Sequence, residues 1–282
     1  MLNSSRDVLL CVDFSYQVYR ATCANPHLTS GNVFTGGLYG FFLFLGKAVR
    51  ECDATRLAIC LDSKPYRRSA VYPQYKQLRK SREDPDVKAK YEVSKRLVLE
   101  VLFSVGAPVY AHEGFEADDI EAGLALRYRN RLDAIIVATN DSDPFQLLWI
   151  DNFIIYKTDY ENRVTAATLM RDTGLTPQQY MLATALQGTH NDVEGIPGVG
   201  EVTARKAVKD EARMRTLRDK WGDLIDRNLS LIALPHVDLP RSAATLDEPM
   251  HAFNPRALYR ALTMYDIDVT EAMVRAFERT GV

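Results

Sequence analysis

Four short apolar runs constrain this chain most: VLLCV (8–12), LAICL (57–61), AIIVA (134–138) and FIIY (153–156), each nearly continuous rather than alternating. Such a run is a strand buried on both faces, and in a sheet that requires helices on either side. Helical patterning fills the gaps at 36–51, 89–104 and 116–129. The alternation predicts an α/β fold with a central, mostly parallel sheet flanked by helices. PVYAH (108–112) adds a further strand before the third helical stretch. After about residue 165 the strand signals stop, and TPQQYMLATALQ (176–187) opens a helix on Thr-Pro. Further helical segments are expected near 201–220, 255–266 and 270–279, with a proline-interrupted loop across 233–255. The organisation expected is an α/β core over 1–187 and a helical region over 188–282.

The 282 residues are 46% hydrophobic, enough for a substantial core. No apolar run approaches the roughly 18 residues that span a bilayer. MLNSSRDVLLCVDFSYQ also lacks a signal peptide's pattern, so a cytoplasmic protein with no membrane partner is expected. Cys11, Cys23, Cys52 and Cys60 form no C-x-x-C pair and are assigned neither disulfide nor zinc. The net charge of −2 conceals a separation of charges, since residues 64–96 hold 11 basic residues against four acidic ones. A local field of that sign suits an anionic ligand.

The first run ends in Asp13, the second in Asp62, and the third leads through Thr139 and Asn140 to Asp141 and Asp143. Ligands of open α/β sheets bind at the C-terminal edge of the strands, so these four carboxylates can converge. GFEADD adds Glu116, Asp118 and Asp119 at a helix start, where acids also complement the helix dipole. Seven carboxylates in one cleft repel each other unless cations lie between them. Oxygen ligands without histidine or cysteine point to Mg²⁺ or Mn²⁺ rather than zinc. Two such ions about 4 Å apart clamp the attacking and leaving oxygens of a phosphodiester.

The basic stretch, with Arg67 and Lys80 in it, suits phosphates, and Tyr75 and Lys76 followed by Arg79 would place aromatic and cationic groups one helical turn apart. EGIPGVGEVTARK (194–206) is a Gly-rich turn, with Gly198 and Gly200, that opens a helix carrying Arg205 and Lys206. Backbone N–H groups in such a turn can hold a backbone phosphate.

These motifs together resemble the phage and bacterial 5′-3′ exonuclease and flap endonuclease family, which includes the N-terminal nuclease domain of bacterial DNA polymerase I. GFEADD is similar to the family's G-x-E-A-D-D, and ATNDSDPFQLL to its T-x-D-x-D-x-x-Q-L. Further matches are VDFSYQVYR, the 62–67 motif followed by YKQLR, and RVTAATLMRDTGLTPQQYMLATALQG before the turn. The resemblance implies a PIN-like nuclease core with a helical arch or clamp at about 64–96, a helix-hairpin-helix beyond it, and metal ligation by Asp13, Asp62, Glu116, Asp118, Asp119, Asp141, Asp143 and Asp192. It implies two Mg²⁺ or Mn²⁺ ions, K⁺ at the hairpin near Val199 to Val202, Lys76 and Arg79 on the scissile phosphate, and Arg20 as a further DNA contact. The partner implied is 5′-flap, nicked or gapped duplex DNA or an RNA/DNA primer hybrid, cut by a monomer at 5′ ends during replication and repair. The short length, with no polymerase region, points within that family to a bacteriophage replication enzyme.

One departure stands out: the family carries G-D-x-x-D before the hairpin, and here GTHND puts Thr189 at the first of those aspartates. A neutral hydroxyl does not replace that charge, which leaves the second metal position to Asp192, His190 or Glu194. Two other readings are a structure-specific DNA-binding protein with weakened catalysis and a PIN-type ribonuclease.

Overall fold

In a computed structural model of the chain, residues 6–76, 84–157, 162–189, 193–246 and 255–271, with 274, 278 and 280, are described. The six-stranded sheet is built around β1 (Val8–Asp13), which pairs in parallel with β4 (Arg56–Cys60) on one side and β6 (Ala134–Ala138) on the other. β5 (Val109–Tyr110) lies beyond β4, and β7 (Phe153–Lys157) beyond β6, both parallel. β8 (Asn162–Val164) closes the far edge antiparallel to β7. The order β5-β4-β1-β6-β7-β8 reverses direction beside β1, the kind of switch point that opens a crevice at the C-terminal ends of the strands.

Alternate residues of β1 enter two different cores, as a strand covered on both faces requires. Leu10 and Val12 pack under α1 (Phe14–Ala24), α2 (Gly36–Glu51) and the long helix α4 (Pro85–Ser104). Leu9 and Cys11 face α5 (Ala117–Tyr128) together with the short 3₁₀ turn Asp143–Leu147. Cys11, Cys52 and Cys60 are buried and Cys23 is exposed, and none of the four is paired in a disulfide. No helix among the described residues is long and apolar enough to cross a membrane.

The expected 89–104 helix starts earlier, because the Asp84 side chain accepts from the backbone N–H groups of Asp86 and Val87 with Pro85 between. Before it, the described part of the basic stretch includes the four-residue helix α3 (Arg68–Val71), and residues 77–83 lie outside the described residues. Tyr75 and Lys76 do not share a helical turn: they lie in a turn where Lys76 takes a left-handed φ of 57°. The spacing from this pair to Arg79 falls on residues outside those described, as do Arg79 and Lys80.

Two-residue ladders escaped sequence reading because they are too short to carry a period: β2 (Thr29–Ser30) with β3 (Val33–Phe34), and β9 (Gly188–Thr189) with β10 (Val193–Glu194). The latter two lie past the point where strands were expected to end. α6 (Ala166–Thr173) and α7 (Pro177–Gln187) lead to them, each with a Thr cap reciprocated three residues on. The segment expected at 201–220 divides into α8 (Glu201–Ala207) and α9 (Glu211–Ile232), because Asp210 accepts from Arg213 N–H and starts a new helix. The expected loop across 233–255 includes a 3₁₀ turn at Arg241–Ala244, and α10 (Pro255–Thr263) follows it. A third core, with Leu175, Ala183, Leu186, Ile196, Ala204, Ala207, Val208 and Ile225, joins α7, α8 and α9.

Candidate metal centre

Asp13 ends β1 and caps α1, its Oδ1 accepting from Tyr16 N–H at 2.9 Å. Asp62 follows β4, and its Oδ1 accepts from Ala117 N–H at 3.0 Å, which ties that strand end to the start of α5. After β6 the Asp141 carboxylate accepts from Ser142 N–H at 2.6 Å and Asp143 N–H at 3.3 Å, folding the loop so that both aspartates face one place. These carboxylates act on one another. Burial, then the neighbouring Asp62 and, more weakly, Asp141, push Asp13 up to about 7. Burial and Asp141 push Asp143 up to about 6. The Lys76 ammonium opposes both shifts and so lies near both groups.

The triplet at the head of α5 supplies the fourth side. Glu116, Asp118 and Asp119 bring carboxylate oxygens within 4.8 Å of one another. Glu116 and Asp119 form a capping box, each side chain accepting from the other's end of the first turn. Asp118 points elsewhere: its Oδ1 is shielded from solvent without a hydrogen-bond partner. Burial, with Glu116 and Asp119 close by, pushes its carboxyl well above the usual range. A shielded, unpartnered carboxylate oxygen in an all-oxygen donor set fits a hard divalent cation.

Thr189 lines a small cavity with Asp118 and Asp143, beside Arg68 and Tyr75, so the position of the family's missing aspartate faces the acidic set. Asp192 and His190 lie outside the described residues, and Glu194 is exposed on β10. A cavity of about 470 Å³ between the end of α4 and α10 is far larger, yet its lining of Ser104, Arg256, Ala257, Arg260, Ala261 and Met264 contains no carboxylate.

Lys76 pairs with Glu116, and its ammonium sits 5.5 Å from the Tyr66 ring centre and 5.3 Å from that of Tyr75. Tyr75 is not a free stacking platform, because its hydroxyl donates to Glu116 Oε2 at 2.9 Å. Arg67 is anchored by its N–H to the Gly114 carbonyl and lies over the Phe115 ring at 5.1 Å. Arg20 is half-buried on α1, away from the strand that ends in Asp13. Gly198 has φ +79° and open space where a side chain would stand, and Gly200 caps α8. On that helix Arg205 pairs with Glu201 at 2.5 Å, and Lys206 is exposed.

Sequence reading missed three buried polar residues. Arg68 binds the triplet from below, and only the doubled Arg67-Arg68 hinted at it. Glu121, 2% exposed with Oε1 unpartnered, lies on α5 three residues from Asp118. A charge at an otherwise apolar helix position, on the Asp118 face, was the available signal. Asn228 on α9 donates to the carbonyls of Ala185 and Glu194, both at 2.8 Å, and nothing local announces it.

Comparison with known proteins agrees with this geometry. The family described as 5′-3′ exonuclease, N-terminal resolvase-like domain, matches residues 8–174. DNA polymerase I of Mycobacterium bovis is 33% identical over 243 residues, covering 81% of this chain and 26% of that protein. The 5′-3′ exonuclease of Aquifex aeolicus is 29% identical over 216 residues, covering 76% of this chain and 73% of its own length. The chain thus spans about a quarter of the polymerases it matches. Among solved structures, the flap endonuclease of bacteriophage T5 in complex with DNA and metal ions superposes with a TM-score of 0.70 at 16% identity, covering 91% of this chain and 98% of that one. By the extent of its matched domain and the identity of its relatives, the chain belongs to the 5′-3′ exonuclease family.

Proposed function

We propose that the protein is a divalent-metal-dependent, structure-specific 5′ nuclease that hydrolyses phosphodiesters near 5′ ends of branched, nicked or RNA-primed duplex DNA. What supports this is the group of Glu116, Asp118 and Asp119 carboxylates, with oxygens within 4.8 Å of one another, together with the mutual influence of Asp13, Asp62, Asp141 and Asp143, which follow β1, β4 and β6. Asp192 belongs to the same proposal. Bound Mg²⁺ or Mn²⁺ supplies an activated water and neutralises charge on the phosphate. The aspartates hold and orient it, and Lys76, released from Glu116, reaches the non-bridging oxygens with Arg79. Metal and DNA bound by the T5 enzyme support both assignments.

In this reading residues 1–187 are the nuclease core, with 64–96 as the clamp on the single-stranded 5′ end. Residues 188–282 carry the turn and α8 of a helix-hairpin-helix whose first helix, α7, ends the core; its Gly198 and Gly200 let the DNA backbone and a K⁺ ion approach, and Arg205 and Lys206 flank it. A monomer acting in the cytoplasm of a bacterial or phage-infected cell completes the proposal. Replacing Asp141 and Asp143 together by Asn tests it on a 5′-labelled flap duplex with Mg²⁺. Cleavage disappears while the gel shift with DNA persists; undiminished cleavage removes the site assignment.

A further inference from the structure

Arg68 is 3% exposed, yet each of its five guanidinium donors is used. Nε donates to the Leu231 carbonyl at 2.8 Å. One terminal nitrogen donates to Glu116 Oε2 at 3.0 Å and Asp119 Oδ2 at 2.6 Å, the other to Asp119 Oδ1 at 2.7 Å and the Ala233 carbonyl at 3.2 Å. The pairing with Asp119 is bidentate, the strongest form such a pair takes.

Asp119 has nothing left to give. Its Oδ2 also accepts from Glu116 N–H at 3.2 Å and its Oδ1 from His236 N–H at 2.7 Å, so both oxygens are saturated at 0% exposure. Glu116 has one oxygen shared by Arg68 and Tyr75 and the other under Lys76. Asp118 alone keeps a shielded oxygen without a partner.

We propose that Arg68 is a positioning residue of the metal centre: by saturating Asp119 and one oxygen of Glu116, it leaves Asp118 as the triplet's metal donor and ties α3, at the base of the basic stretch, to α5 and the end of α9. The three acids of GFEADD thus divide into one ligand and two struts. This rests on the metal-dependent reading above, and it removes Asp119 from the ligand set that the sequence resemblance implies.

The test is calorimetric titration of Mn²⁺ alone into the full chain, with a thermal melt of each variant. Asp118→Asn weakens Mn²⁺ binding by about tenfold or more, and Asp119→Asn changes it by less than about threefold while lowering the melting temperature. Arg68→Gln leaves Asp119 without its counter-charge, while Tyr75 and Lys76 still hold Glu116, and Mn²⁺ then binds more tightly or with an added equivalent. Because a lone buried charge can unfold the chain, Arg68→Met with Asp119→Leu removes the pair as a unit, and this double variant binds Mn²⁺ as the parent does. Loss of affinity in Asp119→Asn or in the double variant, or unchanged binding in folded Arg68→Gln, overturns the role given to Arg68 while leaving the metal centre standing. Equal Mn²⁺ binding by the parent and Asp118→Asn overturns the metal reading itself.

Discussion

At the scale of single residues, the centre resolves a conflict of charge by dividing labour. Arg68 pairs with Glu116 and Asp119 and Lys76 with Glu116, and in the proposal above the remaining acids hold the cation. Lys76→Ala should therefore lower kcat on a flap duplex by about 10²-fold or more, with a smaller change in DNA affinity, as single-turnover and gel-shift measurements would show. The raised carboxyls make a second prediction. Asp13 titrates near 7 and Asp143 near 6 in the fold, against ordinary values near 3.8, so the native metal-free protein holds more protons than the unfolded chain between those limits. Stability contributed by these groups is present below about pH 4 and is lost as pH rises through their folded values. Metal-free melting temperature should fall between pH 5 and 8 on their account, and saturating Mg²⁺ should reverse the trend. The aspartates themselves were legible in the sequence because each directly follows an apolar run or opens a helix. Arg68 was not, because its partners Glu116 and Leu231 lie 48 and 163 residues away.

At the scale of elements, close backbone approaches hold the site's supports in place. Gly37 on α2 faces α4, and a Cβ there would stand 2.2 Å from Ser94 Oγ and 2.4 Å from its Cβ. Gly37→Ala must therefore push α2 from α4, at a cost of roughly 1–3 kcal/mol in chemical denaturation. The β9–β10 ladder that carries Thr189 is more constrained still. A Cβ on Gly195 would meet the Gln187 carbonyl at 2.2 Å, and Asn228 bridges Ala185 to Glu194 across the same corner. Asn228→Ala removes its bonds to the Ala185 and Glu194 carbonyls, the latter keeping only a long contact from Arg227, and should cost roughly 1–3 kcal/mol. Sheet and long helices were readable because their periods repeat over many residues. Tyr75 and Lys76 are tied to Glu116, forty residues on, a contact that local pattern does not announce.

At the scale of the whole molecule, the architecture and the chemistry share one cause. Strands buried on both faces favour a parallel sheet; the sheet aligns the C-terminal ends of β1, β4 and β6; and acids placed there either take up protons or share a cation. That chain of consequence was visible in sequence, apart from how the acids are partitioned and where the basic stretch runs over them. Its most direct test is cleavage of a 5′-labelled flap duplex by the purified protein, resolved by product length with Mg²⁺ and with chelator. Short labelled fragments released at the branch with Mg²⁺, and intact substrate with chelator, are the predicted result. Cleavage that survives chelation, or products shortened only from the 3′ end, would contradict the account.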